Sequence, residues 1–152
     1  MKQFIYLVFI LIITSACKEV YDVPPQAMLQ ASYYNSSTEN KMSPIVTAWG
    51  VGSESFLLKD TTVQVMLFPL SNKDTTIYLI SLDSYIDTIT FIHENEMKYA
   101  SMESGFYYEY KLRSISHTNN RIENIQITDS LVTKKWHENI KLYLLPLPAG
   151  SN

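Results

Sequence analysis

The sequence predicts an all-β protein, an antiparallel β-sandwich of about seven to nine strands, immunoglobulin-like in a loose sense. Three observations carry this. The chain is 12% Phe, Trp and Tyr and has only four glycines, a composition that suits pleated, half-buried strands better than helices. Short segments with apolar residues at every second position follow one another, separated by polar turn clusters. No segment carries a helical period with caps, and residues 132–139 are the only place where a short helix would fit.

Before the strands comes an export signal. Lys2 supplies a positive start, and Phe4 to Ile13 form an unbroken apolar run of ten residues. That run is far short of the ~20 residues that span a bilayer core, and it has no polar face with which to join a soluble core. Thr14-Ser15-Ala16 are small, as a signal peptidase cleft requires, and Cys17, the only cysteine in the chain, follows directly. Thr14-Ser15-Ala16-Cys17 resembles the lipobox of bacterial lipoproteins, with Thr14 where leucine is usual, a looseness common in the Bacteroidota. Cys17 is therefore expected to carry the lipid, because its thiolate is the nucleophile that takes a diacylglyceryl group. Two or more acyl chains anchor stably where one does not. As the sole thiol, Cys17 leaves no partner for a disulfide.

The expected organisation is a signal peptide over residues 1–16, a lipidated cysteine and tether over 17–26, a sandwich over 27–146 and a tail over 147–152. Pro24-Pro25 makes the tether stiff. The first strand is expected over 28–34, ended by Asn35-Ser36-Ser37. Strands over 45–50 and 55–58 follow, broken by Gly50-Val51-Gly52. Val63, Val65 and Leu67 share a face on a strand that runs into Pro69, and Ser71-Asn72-Lys73-Asp74 is a turn before Ile77-Tyr78-Leu79-Ile80. Ile89 and Phe91 alternate with Thr88 and Thr90. His93-Glu94-Asn95-Glu96 is expected to be a hairpin loop, with the chain returning through Met97 to Ala100. After Gly105, Phe106, Tyr108, Tyr110 and Leu112 occupy one face while Tyr107, Glu109, Lys111 and Arg113 occupy the other. The turn at Thr118 to Arg121 leads to Ile125 and Ile127, and residues 140–144 form the last strand.

Charge and motifs exclude several functions. Without the signal the balance is eleven Lys and Arg against fifteen Asp and Glu, since only Lys2 is lost. A mildly acidic chain with no basic cluster does not suit nucleic acid. His93, His117 and His137 are not spaced to share a metal. Ser104-Gly105 lacks the frame of a nucleophile elbow, and Gly50-Val51-Gly52 lacks the third glycine of a phosphate loop. Glu94 and Glu96, two apart in an expected hairpin, are placed to form a carboxylate pair, and catalysis by it needs a set separation across a cleft. No catalytic residue, metal site or cofactor is expected, and the protein is read as a non-enzyme.

Binding is the remaining chemistry. Among the aromatic residues Trp49, Tyr107, Tyr108 and Tyr110, Trp49 and Tyr107 are the candidates for ligand contact, since aromatic faces stack on sugar rings; Tyr108 and Tyr110 are expected in the core. Asp60-Thr61-Thr62, Asp74-Thr75-Thr76, Asp87-Thr88-Ile89 and Asp129-Ser130-Leu131 share one pattern. It resembles the O-glycosylation acceptor motif of exported Bacteroidota proteins, which makes Thr61, Thr75, Thr88 and Ser130 candidates. An Asp-Thr pair is equally a natural junction of turn and strand.

The segments Gly50 to Ser55, Leu67-Phe68-Pro69-Leu70, Ser101 to Tyr108 and Asn119 to Glu123 resemble, in order and spacing, a group of small Bacteroidota lipoproteins, domain-of-unknown-function family 6452. The resemblance covers roughly residues 25–144. It implies an envelope location and an all-β fold, and no activity. Relatives often have cysteine where Ser104 stands. The expected partners are the membrane, through lipid on Cys17, and an envelope protein or glycan. Lys18 lacks the aspartate of inner-membrane retention, and Lys18-Glu19 with Asp22 resembles a surface-export signal, so the outer membrane, on its periplasmic or surface-exposed side, is the expected location.

Overall fold

The computed structural model describes residues 26–102 and 104–148, all strand, turn and extended chain. Cys17, the signal and the tether up to Pro25 lie outside the described residues. Ten strands follow in order: β1 (Met28–Asn35), β2 (Ile45–Gly50), β3 (Phe56–Thr62), β4 (Val65–Pro69), β5 (Thr75–Leu82), β6 (Tyr85–Ser101), β7 (Gly105–His117), β8 (Ile122–Ile127), β9 (Leu131–Val132) and β10 (Glu138–Leu144). They form a four-stranded sheet, β4-β1-β10-β8, and a six-stranded sheet, β3-β2-β5-β6-β7-β9. The all-β, sandwich-like fold class holds, with ten strands rather than seven to nine.

Alternation builds the core. Leu29, Ala31 and Tyr33 of β1 and Ile140, Leu142 and Leu144 of β10 point inward from the small sheet, and all are buried. Val46 and Ala48, then Tyr78, Ile80 and Leu82, then Ile89 and Phe91 point inward from the large one. Phe68 of β4 joins the two layers, with its ring 5.0 Å from Tyr78 and 5.6 Å from Phe91. Each fully buried Val, Leu, Ile or Phe among them contributes about 1.5–3 kcal/mol by leaving water. Pairing is antiparallel except between β1 and β10, which run parallel at the centre of the small sheet. The first and last strands of the domain thus close it against each other.

Three tight polar devices hold the connections. Leu82 and Tyr85 face each other across a two-residue turn in which Asp83 and Ser84 both have positive φ, 50° and 76°. Such a turn follows the twist of the strands and normally favours glycine or asparagine. Here the Asp83 carboxylate compensates, accepting from Ile45 N at 3.0 Å and from Arg121 Nη2 at 2.8 Å. Asp87 is fully buried and accepts four bonds from the β7–β8 turn, from Thr118 Oγ1, Asn120 N, Arg121 N and Ile122 N. The Tyr78 and Tyr110 hydroxyls donate to the carbonyls of Pro69 and Leu70, at 2.6 and 2.9 Å, and pin the crossover from β4 to β5.

Two expectations for local structure are corrected. No hairpin loop forms at His93-Glu94-Asn95-Glu96, because β6 runs unbroken for 17 residues and reverses only between Ser101 and Gly105. Strand parity explains it: His93 continues the inward series Asp87, Ile89, Phe91, while Glu94 and Glu96 face outward opposite Lys111 and Glu109. Gly105, at φ 69°, takes the left-handed turn position instead. Nor does 132–139 form a helix. Asn139, buried there, donates to the carbonyls of Asp129 and Leu131 and accepts from Gln30 N, which fixes an extended path.

Candidate functional site

The features that carry chemistry gather along β6 and β7. At their middle, the buried His93 ring places Nδ1 2.7 Å from Asn95 Oδ1 and Nε2 2.9 Å from Thr76 Oγ1. An amide oxygen only accepts, so the proton sits on Nδ1, and Nε2 accepts from the Thr76 hydroxyl. Burial pushes the His93 pKa down, partly offset by Asn95 and by Asp74. Hydroxyl, imidazole and carboxamide stand in the order that activates a nucleophile in hydrolases. Thr76 Oγ1, however, also accepts from Ser71 N at 2.9 Å and lies 3.2 Å from Ser71 Oγ. With Asn95 Nδ2 donating to Lys73 O at 2.9 Å, the array latches the 71–76 turn onto β6. A depression of about 750 Å³ adjoins it, reached by Asp74, Asn95, Glu109, Lys111 and Thr133.

The carboxylates considered for catalysis are paired with cations on the outer face, Glu94 with Arg113 and Glu96 with Lys98. The histidines go three separate ways. His117 Nδ1 meets its neighbour Thr118's carbonyl. His137 puts Nδ1 2.8 Å from Lys135 O and Nε2 2.8 Å from Asp129 Oδ2. Acceptors at both nitrogens favour the imidazolium, so the His137 pKa is raised, by the Lys135 carbonyl first and Asp129 second. The Asp129 pKa is lowered, by the Leu131 N–H first and His137 second. Among the described residues no three His, Cys, Asp or Glu side chains converge as a metal site would need.

Trp49 and Tyr107 do not share a site. Trp49 is half-buried on the outer face of β2, edge-on to Phe56 at 5.8 Å, beside a shallow hollow of about 240 Å³ with Ser53, Glu54 and Ser55. It faces Leu79, Leu79 faces Thr88, and the Thr88 carbonyl takes the N–H of Thr118. Tyr107 lies a further eleven residues away along β7, roughly 36 Å at the strand rise. There the Lys134 ammonium stands 3.5 Å above its ring.

The four Asp-Thr/Ser positions differ. Thr61 and Thr75 are exposed, their hydroxyls bonded to Lys59 O and Asp74 Oδ1. Thr88 and Ser130 are half-buried. Asp60, Asp87 and Asp129 all serve neighbouring structure, Asp60 by exchanging two 2.9 Å bonds with Thr47.

One feature escapes a reading of the sequence. Beyond Asn95 and Tyr110 the β6–β7 pair has lost both neighbours, since β5 reaches only Ile92 and β9 only Tyr110. A two-stranded ribbon continues to the Ser101–Gly105 turn. Its alternation persists, but the face that was core is now bare: Met97 is 59% exposed, Tyr99 59%, Phe106 63% and Tyr108 37%, with Met102 at 95% by the turn. Tyr108, expected in the core, is therefore corrected to exposed, while Tyr110 is buried as expected. At the base of this face Phe106 and Tyr108 line a hollow of about 380 Å³ together with Gln26, Ala27, Pro69 and Leu70. Trp136 Nε1 donates to Gln26 O at 2.9 Å and holds the chain's first described residue there. The strict alternation after Gly105 is the signal that could have located the face; that the opposing layer stops short has no local signature.

Two packed sheets, one of them extended into a bare apolar ribbon with a polar latch at its base, define an all-β module. Residues 45–144, from the start of β2 to the end of β10, match a family of unknown function (DUF6452), and the chain belongs to that family. Neither a curated protein nor a solved structure matches it.

Proposed function

We propose that the protein is a lipoprotein of the bacterial outer membrane, anchored through Cys17, whose sandwich is a non-catalytic interaction module. The observation that carries this is Thr14-Ser15-Ala16-Cys17 placed directly after a ten-residue apolar run. The bonding within the domain supports the non-catalytic part, because Thr76, His93 and Asn95, the one array among the described residues with the order of a catalytic triad, hold the 71–76 turn on β6 through Ser71 N and Lys73 O. Exposure favours Thr61 and Thr75 over Thr88 and Ser130 as positions for a glycan. A second reading, a glycan-binding accessory domain, draws on Trp49 beside its shallow hollow.

Substituting Cys17→Ser in the producing bacterium tests the anchor. The variant is expected to take no fatty-acid label and to stay unprocessed; normal labelling and cleavage would overturn the reading.

A further inference from the structure

Among the described residues the ribbon's bare face carries two methionines, two tyrosines and a phenylalanine and no charge. The charges of the same two strands, Glu94, Glu96, Lys98, Glu109, Lys111 and Arg113, all lie on the other face or at its edge. The ribbon is thus amphipathic across its thickness, the strand counterpart of a helix that lies in a membrane interface. Tyr and Phe with Met suit that depth, where an apolar body sits among acyl chains and a hydroxyl reaches the headgroups. An apolar patch of this extent facing water is otherwise a binding surface without its partner.

Position names the partner. Gln26 lines the same hollow as Phe106 and Tyr108, so the chain leaves the domain at the ribbon's base. Only eight residues, 18–25, separate it from Cys17. Fully extended, that link spans about 30 Å. Whatever surface holds Cys17 is then within about 30 Å of the base of the bare face, whereas Ile86, 52% exposed beside the Asp83-Ser84 turn, is at the opposite end of β6. We propose that the Met97, Tyr99, Met102, Phe106 and Tyr108 face of the ribbon docks on the lipid bilayer that carries the chain's anchor. Docking sets the orientation of the sandwich and leaves the β5–β6 turn at Asp83-Ser84 pointing away from the membrane. The proposal rests on the lipoprotein reading for the identity of the surface.

The test uses the chain from Cys17 to Asn152, which contains all the described residues, coupled through its sole thiol to a maleimide lipid in phosphatidylcholine vesicles. Met102→Trp and, as a control, Ile86→Trp each add one tryptophan, read as the difference from the parent. In vesicles with brominated acyl chains the emission added by Met102→Trp is expected to fall at least twofold, and that added by Ile86→Trp to stay unchanged. Adding Tyr99→Ser and Phe106→Ser, both at exposed positions, is expected to relieve the quenching. No quenching at position 102, equal quenching at both positions, or a blue shift at 102 that grows with protein concentration in the absence of vesicles would overturn the proposal; the last would mean a second copy covers the face. Because the anchor is attached chemically, failure here removes the docking alone, and failure of the Cys17 labelling removes the lipoprotein reading alone.

Discussion

Asp87→Asn exchanges one carboxylate oxygen for an amide nitrogen in a buried site, with almost no change of shape. Asp87 Oδ1 accepts from Thr118 Oγ1 at 2.7 Å and Asn120 N at 2.8 Å, and Oδ2 from Arg121 N at 2.8 Å and Ile122 N at 3.0 Å. Asparagine offers one oxygen, so one of these pairs must face an NH₂ group. The less costly orientation turns the nitrogen toward Thr118, whose hydroxyl can rotate and accept. Asn120 N–H is then left without an acceptor and pressed against another donor. One unmet buried donor costs about 1–3 kcal/mol, and weakening the charge-assisted bonds to Arg121 and Ile122 brings the loss to about 2–4 kcal/mol. For a domain of this size that lowers Tm by roughly 6–15 °C. Thermal and urea unfolding of the variant at neutral pH measure it, with Thr118→Val as the milder control at about 1 kcal/mol. A loss below about 1 kcal/mol for Asp87→Asn would refute the four-bond account of the β7–β8 turn.

Two histidines predict opposite pH responses. The lowered pKa of His93 means that the unfolded chain binds more protons between that pKa and 6.5, so its contribution is present above 6.5 and lost as pH falls through the folded value; urea unfolding down a pH series should show this slope, and His93→Gln should flatten it. The raised pKa of His137 works the other way, with its contribution complete below 6.5 and lost as pH rises through the folded value; NMR titration of its ring should give a midpoint above 6.5, and one at or below 6.5 would contradict the pairing with Asp129. Tyr110→Phe removes the bond to Leu70 O while keeping the ring, and should cost about 0.5–1.5 kcal/mol in urea unfolding.

Local alternation was legible wherever both faces of a strand meet their usual surroundings, as in β2, β5 and β10. It failed at His93 to Glu96, where four polar residues in a row have the composition of a turn. Within β6 the first three of those residues are satisfied by Thr76, Lys73 O and Arg113, contacts 17 to 22 residues away in sequence. Alternation also placed Tyr108 on the core side, and its parity is right. Its burial is not, because parity says nothing about where the opposite sheet ends. Asp87 reads locally as a turn residue before a strand; its role depends on a loop more than thirty residues onward. The parallel pairing of β1 with β10 joins residues over a hundred positions apart, such as Ala31 and Ile140, and no local pattern encodes it. Trp49 and Tyr107 looked like members of one aromatic group only because sequence carries no distance.

The intact mass of the chain recovered from cell envelopes tests the anchored-module account most directly. The predicted species begins at Cys17 and carries a diacylglyceryl group, with or without a further acyl chain on its amine. A chain that still begins at Met1, or one cleaved near residue 17 without lipid, would contradict it.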